Sequence, residues 1–159
     1  MLGRSSGALL YQKSFGTVSN NRNAGIPSIG PDGTVFIGNN SRLYALDPSN
    51  SLAQKWVIDT ITYPTGSAPT IGRDGNLYIR FAAPGGGLEN RVGAVNANNG
   101  QFIWTIDDLN LPEFAFVGNV YAAANNMLVF TVNEQNPDGP DRFVVYAYGD
   151  KGEIGRAHV

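Results

Sequence analysis

Apolar and polar residues alternate in short runs along the chain, and turn residues separate the runs. Two stretches are copies of one pattern: residues 27–37 read PSIGPDGTVFI, and residues 69–79 read PTIGRDGNLYI. The two stretches align without a gap. Each copy has Asp-Gly (32–33 and 74–75) between apolar runs. This dipeptide is typical of a tight β-hairpin, and we expect a type I′ turn at both places. The pattern predicts a chain of repeated hairpins.

The similarity extends beyond these stretches and defines units of four strands. Residues 42–47 match residues 91–96, and Trp56 and Trp104 lie in matching runs. A weaker third unit begins near Gly118. The predicted strands are 26–30, 34–38, 42–47 and 53–58 in the first unit, 68–72, 76–82, 91–96 and 101–106 in the second, and 118–123, 127–133, 142–148 and 153–157 in the third.

Four antiparallel strands per repeat are typical of a β-propeller blade. Residues 7–11 match residues 100–104 of the fourth strand of unit two, so they resemble the last strand of a preceding blade. We predict an all-β fold, a partial β-propeller of about three four-stranded antiparallel blades plus an N-terminal orphan outer strand. A β-sandwich with accidental internal similarity is the alternative. The predicted domain, 1–159, comprises the outer strand 7–15, blade 1 at 26–58, blade 2 at 68–106 and blade 3 at 118–158.

The motif Pro-x-Ile-Gly-x-Asp-Gly, then Leu-Tyr-Ala-Leu-Asp at 43–47 and a tryptophan, resembles the quinoprotein alcohol dehydrogenase-like propeller repeat. That family includes dehydrogenases that use pyrroloquinoline quinone, and also cofactor-free scaffolds such as the propeller lipoprotein of outer-membrane protein assembly. The resemblance implies a periplasmic or extracellular location. The adjacent cysteines of the dehydrogenases have no counterpart in this cysteine-free chain, and no residue matches their calcium ligands. Trp56 and Trp104 resemble the packing tryptophan of the repeat rather than cofactor-stacking residues.

The composition restricts the classes of function. The net charge of −2 provides no excess of cations to neutralise phosphates, so we expect no nucleic-acid partner. No apolar run is long enough for a transmembrane segment. We expect no signal peptide in this chain, because its first fifteen residues lack the required apolar region.

Motifs for catalysis and metal binding are weak. Residues 134–139 resemble the start of an EF-hand loop, but the twelfth position is Val145 instead of glutamate. The single histidine, His158, is the penultimate residue, a position that is usually poorly ordered. Asp107 and Asp108 are adjacent on an extended segment, where neighbouring side chains point apart. We therefore predict no catalytic, cofactor-binding or metal-binding residues and no cofactor.

The long predicted connections all fall on one side of the propeller, which we call the long-loop side. Insertions on one side of a repeat array are typical of a binding surface. Its acidic and aromatic character suits a peptide, a glycan or a cation; alternatively, the charges only maintain solubility. Its side chains are Asp59, Glu89, Asp107, Asp108, Glu113, Glu134, Asp138, Asp141, Arg22, Arg80, Arg91, Arg142, Tyr63, Phe114 and Phe116.

Three blades do not close a ring, so we expect a protein partner or self-association through the blade edges. Two copies would form a six-bladed ring if residues 1–15 completed the last blade of the second copy. The sequence predicts a non-catalytic protein-binding or scaffold module built of quinoprotein-like repeats. The alternative is a fragment of a quinone-dependent dehydrogenase, or of another propeller enzyme, whose catalytic residues lie outside this segment.

Overall fold

A computed structural model describes residues 9–15, 25–39, 42–60, 67–82, 91–106, 115–123, 127–134, 136, 138–148 and 154–157. Within these residues there are three sheets of four strands, each sheet formed by four consecutive antiparallel strands. No helix in this part of the chain has the length and apolar character needed to cross a membrane. The all-β, partial-propeller fold predicted from the repeats is confirmed.

Each sheet is one blade. Blade 1 contains β1 (Ser28–Ile29), β2 (Val35–Asn39), β3 (Arg42–Asp47) and β4 (Ala53–Ile58), with a 3-10 turn at Pro48–Asn50. Blade 2 contains β5 (Thr70–Ile71), β6 (Leu77–Phe81), β7 (Arg91–Val95) and β8 (Phe102–Ile106). Blade 3 contains β9 (Ala115–Ala122), β10 (Leu128–Glu134), β11 (Arg142–Tyr148) and β12 (Ile154–Ala157).

The hairpin turn that joins β1 to β2 differs from the predicted type I′ turn. The N–H of Gly33 donates to the carbonyl of Gly30 over 2.9 Å, and Gly33 alone has a positive φ, 85°. A type I′ turn would need a positive φ at Asp32 as well. The same turn joins β5 to β6, where Arg73 replaces the proline: the N–H of Gly75 donates to the carbonyl of Gly72 over 3.0 Å, and Gly75 has a φ of 78°. In both hairpins the aspartate side chain accepts from the N–H two residues later, which favours a turn centred one residue earlier than predicted, with the glycine in the left-handed position after it.

The blades pack face to face through two apolar clusters. Phe36 and Trp56 of blade 1 join Leu77 and Ile79 of blade 2 in the first cluster. Trp56 also donates its indole N–H to the carbonyl of Ala97 over 2.9 Å, which fixes the outer strand of blade 1 on the last turn of blade 2. Side chains alternate between the two faces of a strand, so the side chains of blade 2 that point away from blade 1 pack against blade 3.

The second cluster joins blade 2 to blade 3. Val92 and Ala94 of β7 pack there with Phe130 and Val132 of β10. Blade 2 is therefore covered on both faces. Trp104, which holds the position of Trp56 in its blade, remains 36% exposed.

Hydroxyl groups on the inner strands link each blade to the next. Ser28 of β1 donates to the carbonyl of Pro69, and Thr70 of β5 donates to the carbonyl of Val120. The ladders place Ser28 and Thr70 at the same position in their blades, and the two acceptors are equivalent as well. The same joint is thus made twice. Tyr121 occupies the donor position in blade 3.

Blade 3 departs from its two predecessors at the outer strand. Gly155 is opposite Ala147 in the ladder, at the position of Trp56 in blade 1 and Trp104 in blade 2. Ala157 takes the place of Ile58. The outer strand of the third blade therefore has glycine and alanine at the two positions where the first two blades have tryptophan and isoleucine.

Residues 9–15 form no ladder with the described strands. Phe15 lies against Tyr44 of β3, with ring centroids 4.6 Å apart, while Leu9 and Leu10 are each 78% exposed. An outer strand of a blade that is not present would have no ladder partner here. The orphan outer strand at 7–15 stays a prediction, and its first two residues lie outside the described part of the chain.

Candidate functional site

Only part of the predicted long-loop side can be located. Asp59, Asp138, Asp141 and Arg142 are exposed there. Arg80 instead donates to Ser67 Oγ over 2.7 Å and to the carbonyl of Val117, so it joins blade 2 to blade 3. Phe116 and Arg91 are known by their strand positions, in β9 and β7. The predictions for Arg22, Tyr63, Glu89, Asp107, Asp108, Glu113 and Phe114 fall outside the described residues.

Glu134 is not a surface carboxylate. It is 4% exposed, and its Oε1 accepts a 2.6 Å hydrogen bond from the hydroxyl of Tyr146, which is also buried. The alternation of Leu128, Phe130 and Val132 along β10 continues to Glu134 and puts it on the face toward blade 2. The prediction of an exposed acidic residue here was wrong, and the period of two in the sequence already contained the reason.

The loop that resembles an EF-hand is organised as a hairpin turn. The side chain of Asn136 accepts from the N–H of Asp138 over 3.1 Å, and Asp141 accepts from the N–H of Asn136 over 3.3 Å. Gly139 N–H donates to the carbonyl of Asn136. These groups hold the turn, while Glu134 points to Tyr146. Among the described residues, no three acidic or histidine side chains group as metal ligands.

The carboxylates of the inner hairpins are also used by the structure. Asp32 accepts from the N–H and the hydroxyl of Thr34 at 3.0 and 2.7 Å, and from Lys55 at 3.0 Å. The hydrogen bonds from Thr34, and then that from Lys55, hold the pKa of Asp32 well below its ordinary value. At Asp74, burial raises the pKa, but hydrogen bonds from Tyr78 and Asn76 outweigh it and lower the pKa.

A shallow cleft lies between the inner turn of blade 2 and the start of β10. Gly72, Arg73 and Asp74 form one wall and Ala123 and Met127 another. The carboxylate of Asp74 faces its own turn, where Asn76 Nδ2 and the Tyr78 hydroxyl each donate to it over 2.7 Å. The polar groups of the cleft thus serve the hairpin.

Two blade faces remain uncovered by any described blade. The face of blade 1 that points away from blade 2 is called the leading face, and the face of blade 3 that points away from blade 2 is called the trailing face. The leading face includes Pro27, Ile29, Val35, Ile37, Tyr44 and Leu46, of which Tyr44 and Leu46 are buried. The trailing face includes Tyr121, Val129, Phe143, Val145 and Ala147, together with the polar residues Thr131 and Asn133.

Large apolar side chains are exposed on both faces. Ile29 is 70% exposed on the leading face, and Phe143 and Tyr121 are 74% and 55% exposed on the trailing face. Exposed apolar patches on a folded protein mark interaction sites. Contacts at the blade edges were expected from the sequence, but these residues were not identified. The alternation of side chains along a strand assigns each residue to one face of the sheet and does not show which face lacks a neighbouring blade.

No family model matches the sequence, and no characterised protein matches it significantly. Solved structures do match the fold. BamB from Moraxella catarrhalis aligns with a TM-score of 0.52 and 16% identity, over 82% of this chain and 34% of BamB. A europium-containing methanol dehydrogenase aligns with a TM-score of 0.55 and 16% identity, over 80% of this chain and 23% of the dehydrogenase.

The chain spans about a third and a quarter of the lengths of these two propeller proteins. At such low identity the likeness concerns the fold, and the function of either protein does not follow from it. The repeats, the three consecutive four-stranded sheets and these alignments agree. The chain has the fold of a β-propeller segment and resembles the quinoprotein-type propellers.

Proposed function

We propose that this chain is a non-catalytic protein-binding or scaffold module that binds its partner on the trailing face. The observation that carries the proposal is the exposure of two aromatic side chains on one sheet face, Phe143 at 74% and Tyr121 at 55%. Val145 and Ala147 lie between them along β11, and Thr131 and Asn133 share the face. Exposed aromatic residues are typical anchors of protein interfaces.

Three of the located carboxylates are engaged within the fold, which supports a binding role over catalysis by these groups. Asp32 and Asp74 are hydrogen-bonded within their own turns, and Glu134 is buried against Tyr146. A nucleophile or general acid needs a position from which it reaches a substrate. The partner is another protein or a second copy of this chain, and the resemblance to the quinoprotein-like repeat supports a location outside the cytoplasm.

Site-specific crosslinking tests this proposal. A photoreactive phenylalanine analogue replaces Phe143 or Tyr121 in cells that naturally produce the protein, and a third variant carries it at Ile103. Ile103 is 51% exposed on β8 of blade 2 and serves as the matched surface control. We expect discrete protein adducts at positions 143 and 121 and none at position 103. Equal labelling at all three positions, or no adduct, would contradict the proposal.

A second candidate is a segment of a quinone-dependent dehydrogenase whose catalytic residues lie in other blades. The alignment with the methanol dehydrogenase, at a TM-score of 0.55, favours it. Pyrroloquinoline quinone is added to the purified chain with calcium or europium, and the absorbance of the quinone is recorded. A saturable change in that spectrum would support the enzyme, and an unchanged spectrum would exclude a quinone site within this segment.

A further inference from the structure

The turn that joins β7 to β8, residues 96–101, also joins blade 2 to blade 1. Trp56 of blade 1 donates its indole N–H to the carbonyl of Ala97 in this turn over 2.9 Å. A Cβ on Gly100 would meet the ring of Trp56 at 2.8 Å, and Gly100 has a φ of 74°. Glycine is therefore required at position 100 by the left-handed backbone and by the indole that lies against it.

The residue before this glycine is an asparagine, Asn99, and its side chain is exposed. Asn99-Gly100 is the only Asn-Gly pair in the sequence. Asparagine is most prone to deamidation when glycine follows it, because glycine has no side chain to hinder the approach of its nitrogen. The contact between blades 1 and 2 thus rests on a pair of residues that is chemically labile.

We propose that Asn99 is a site of spontaneous deamidation that the closed turn suppresses, and that its conversion to isoaspartate keeps the turn open and releases blade 1 from blade 2. The reaction consumes water and needs no other reagent. This inference goes beyond the proposed function, because it concerns a covalent change between two blades and does not involve the trailing face.

The reaction is an internal substitution followed by hydrolysis. The backbone nitrogen of Gly100 attacks the side-chain amide carbon of Asn99, loses its proton, and expels the side-chain nitrogen as ammonia, which leaves a five-membered succinimide ring. Water then opens this ring at one of its two carbonyl carbons. Opening at the side-chain carbonyl gives aspartate. Opening at the main-chain carbonyl gives isoaspartate, in which the backbone runs through the former side chain and is one carbon longer.

Hydrogen bonds hold both reacting groups in the closed turn. The N–H of Gly100 donates to the carbonyl of Asn96 over 2.8 Å, and the side-chain oxygen of Asn99 accepts from the N–H of Gln101 over 3.0 Å. Attack requires both bonds to break, so that the side chain of Asn99 can turn toward the nitrogen. Opening of a turn is fast compared with this chemistry, so the rate of deamidation should follow the fraction of molecules whose turn is open.

The isoaspartate product does not fit the closed turn. The turn is closed at both ends by backbone hydrogen bonds, from Gly100 to Asn96 and, over 2.9 Å, from Asn96 to Gln101. An additional backbone carbon between residues 99 and 100 displaces Gly100 relative to Ala97, and Trp56 contacts both of these residues. An opening that is followed by deamidation is therefore irreversible, and open molecules accumulate with time.

The rate of deamidation tests the first part of the proposal. The purified full chain is incubated at neutral pH, folded or unfolded in guanidinium, and conversion of Asn99 is followed by mass spectrometry of a proteolytic peptide. We expect the folded chain to react at least about tenfold more slowly than the unfolded chain.

Two variants test whether the contact with blade 1 controls this rate. Trp56→Phe removes the N–H that is donated to Ala97. It should speed deamidation of the folded chain about two- to tenfold, the ratio that corresponds to one hydrogen bond. Val132→Ala, in the apolar cluster between blades 2 and 3, is the matched control and should leave the rate at Asn99 unchanged.

Fluorescence tests the second part. Trp104→Phe leaves Trp56, which is 8% exposed, as the only tryptophan of the chain. This variant is deamidated while unfolded and is then refolded. We expect its emission to lie at longer wavelength than before, in proportion to the isoaspartate formed, because the indole of Trp56 enters water. A chain that also carries Asn99→Ser keeps an oxygen acceptor for the N–H of Gln101 and cannot deamidate at this position, so the same treatment should leave its emission unchanged.

Slow deamidation of the folded chain, acceleration by Trp56→Phe but not by Val132→Ala, and a shift of emission that Asn99→Ser prevents would together support the inference. Equal rates in the folded and unfolded chains, no acceleration by Trp56→Phe, equal acceleration by Val132→Ala, or unchanged emission after isoaspartate has formed would each show that it is wrong. None of these outcomes depends on crosslinking at the trailing face, so this inference and the proposed function can fail independently.

Discussion

Single side chains hold the blades of this protein together. The ring of Trp56 lies over the last turn of blade 2, where Gly100 has a φ of 74°. A Cβ on Gly100 would meet that ring at 2.8 Å, whereas a Cβ on Gly33, with a φ of 85°, would meet nothing within 4 Å. The two glycines share the need for a left-handed backbone, but only one of them also has to leave room for an indole.

This difference predicts unequal costs of alanine. Gly33→Ala should lower the free energy of unfolding by about 1–2 kcal/mol, the cost of the left-handed backbone. Gly100→Ala should cost about 1–3 kcal/mol more, because it also forces Trp56 out of place. Urea unfolding measures both. Combining Gly100→Ala with Trp56→Leu should recover part of the extra loss, and strictly additive effects would contradict this explanation.

The carboxylate of Asp32 predicts a pH dependence. Thr34 and Lys55 lower the pKa of this carboxylate in the folded state. The stabilisation that it provides is therefore present at pH values above its ordinary pKa of 3.8, and it is lost as the pH falls toward the folded pKa. Thermal unfolding of Asp32→Asn should therefore show a lower Tm than wild type at pH 7. The difference should shrink below about pH 4, and a constant difference would contradict the assignment.

Residue-level features were predicted unevenly from the sequence. The packing role of Trp56 followed from the repeat, and the structure gives it a partner carbonyl. The turn type did not follow, because Asp-Gly alone does not show that the aspartate side chain stabilises a turn centred one residue earlier in both hairpins. Glu134 was placed on the surface because the loop that follows β10 dominated the interpretation, although the alternation along the strand predicts burial.

At the scale of strands and blades, packing depends on which face has a neighbour. Ile79 and Ile37 are the same residue at the same ladder position, but only Ile79 is enclosed between two sheets. Ile79→Ala should lower the free energy of unfolding by about 2–5 kcal/mol. Ile37→Ala should cost less, under about 1.5 kcal/mol, because Ile37 is only partly buried. Equal losses, measured by chemical unfolding, would mean that the leading face is covered in solution.

The strands themselves were predictable, because a repeated pattern fixes many short elements at once. β5 is shorter than predicted, two residues in place of 68–72. The distinction between covered and open faces was not predictable, since blades 1 and 2 have nearly the same apolar residues there. Only the spatial order of the sheets shows that blade 2 has two neighbours and that blades 1 and 3 have one each.

At the scale of the whole molecule, that order predicts a gradient of local stability. Blade 2 contributes to both apolar clusters, whereas each outer blade contributes to one. Amide hydrogens of Tyr78 and Val92 should therefore exchange with solvent more slowly than those of Ile37 and Val145, which lie on strands at equivalent depth in their sheets. Hydrogen exchange followed by NMR measures this order, and equal protection in all three blades would contradict it.

The joints between blades are made by donors on side chains and acceptors on the backbone. Ser28, Thr70 and Trp56 supply the donors, while Pro69, Val120 and Ala97 supply carbonyls that any residue type would offer. Each joint therefore requires a particular residue type only at its donor position. The hydrogen bond makes no demand on the side chain of the other partner, so a duplicated blade could form these joints before its own sequence had adapted, and arrays of this kind could lengthen during evolution by copying one blade at a time.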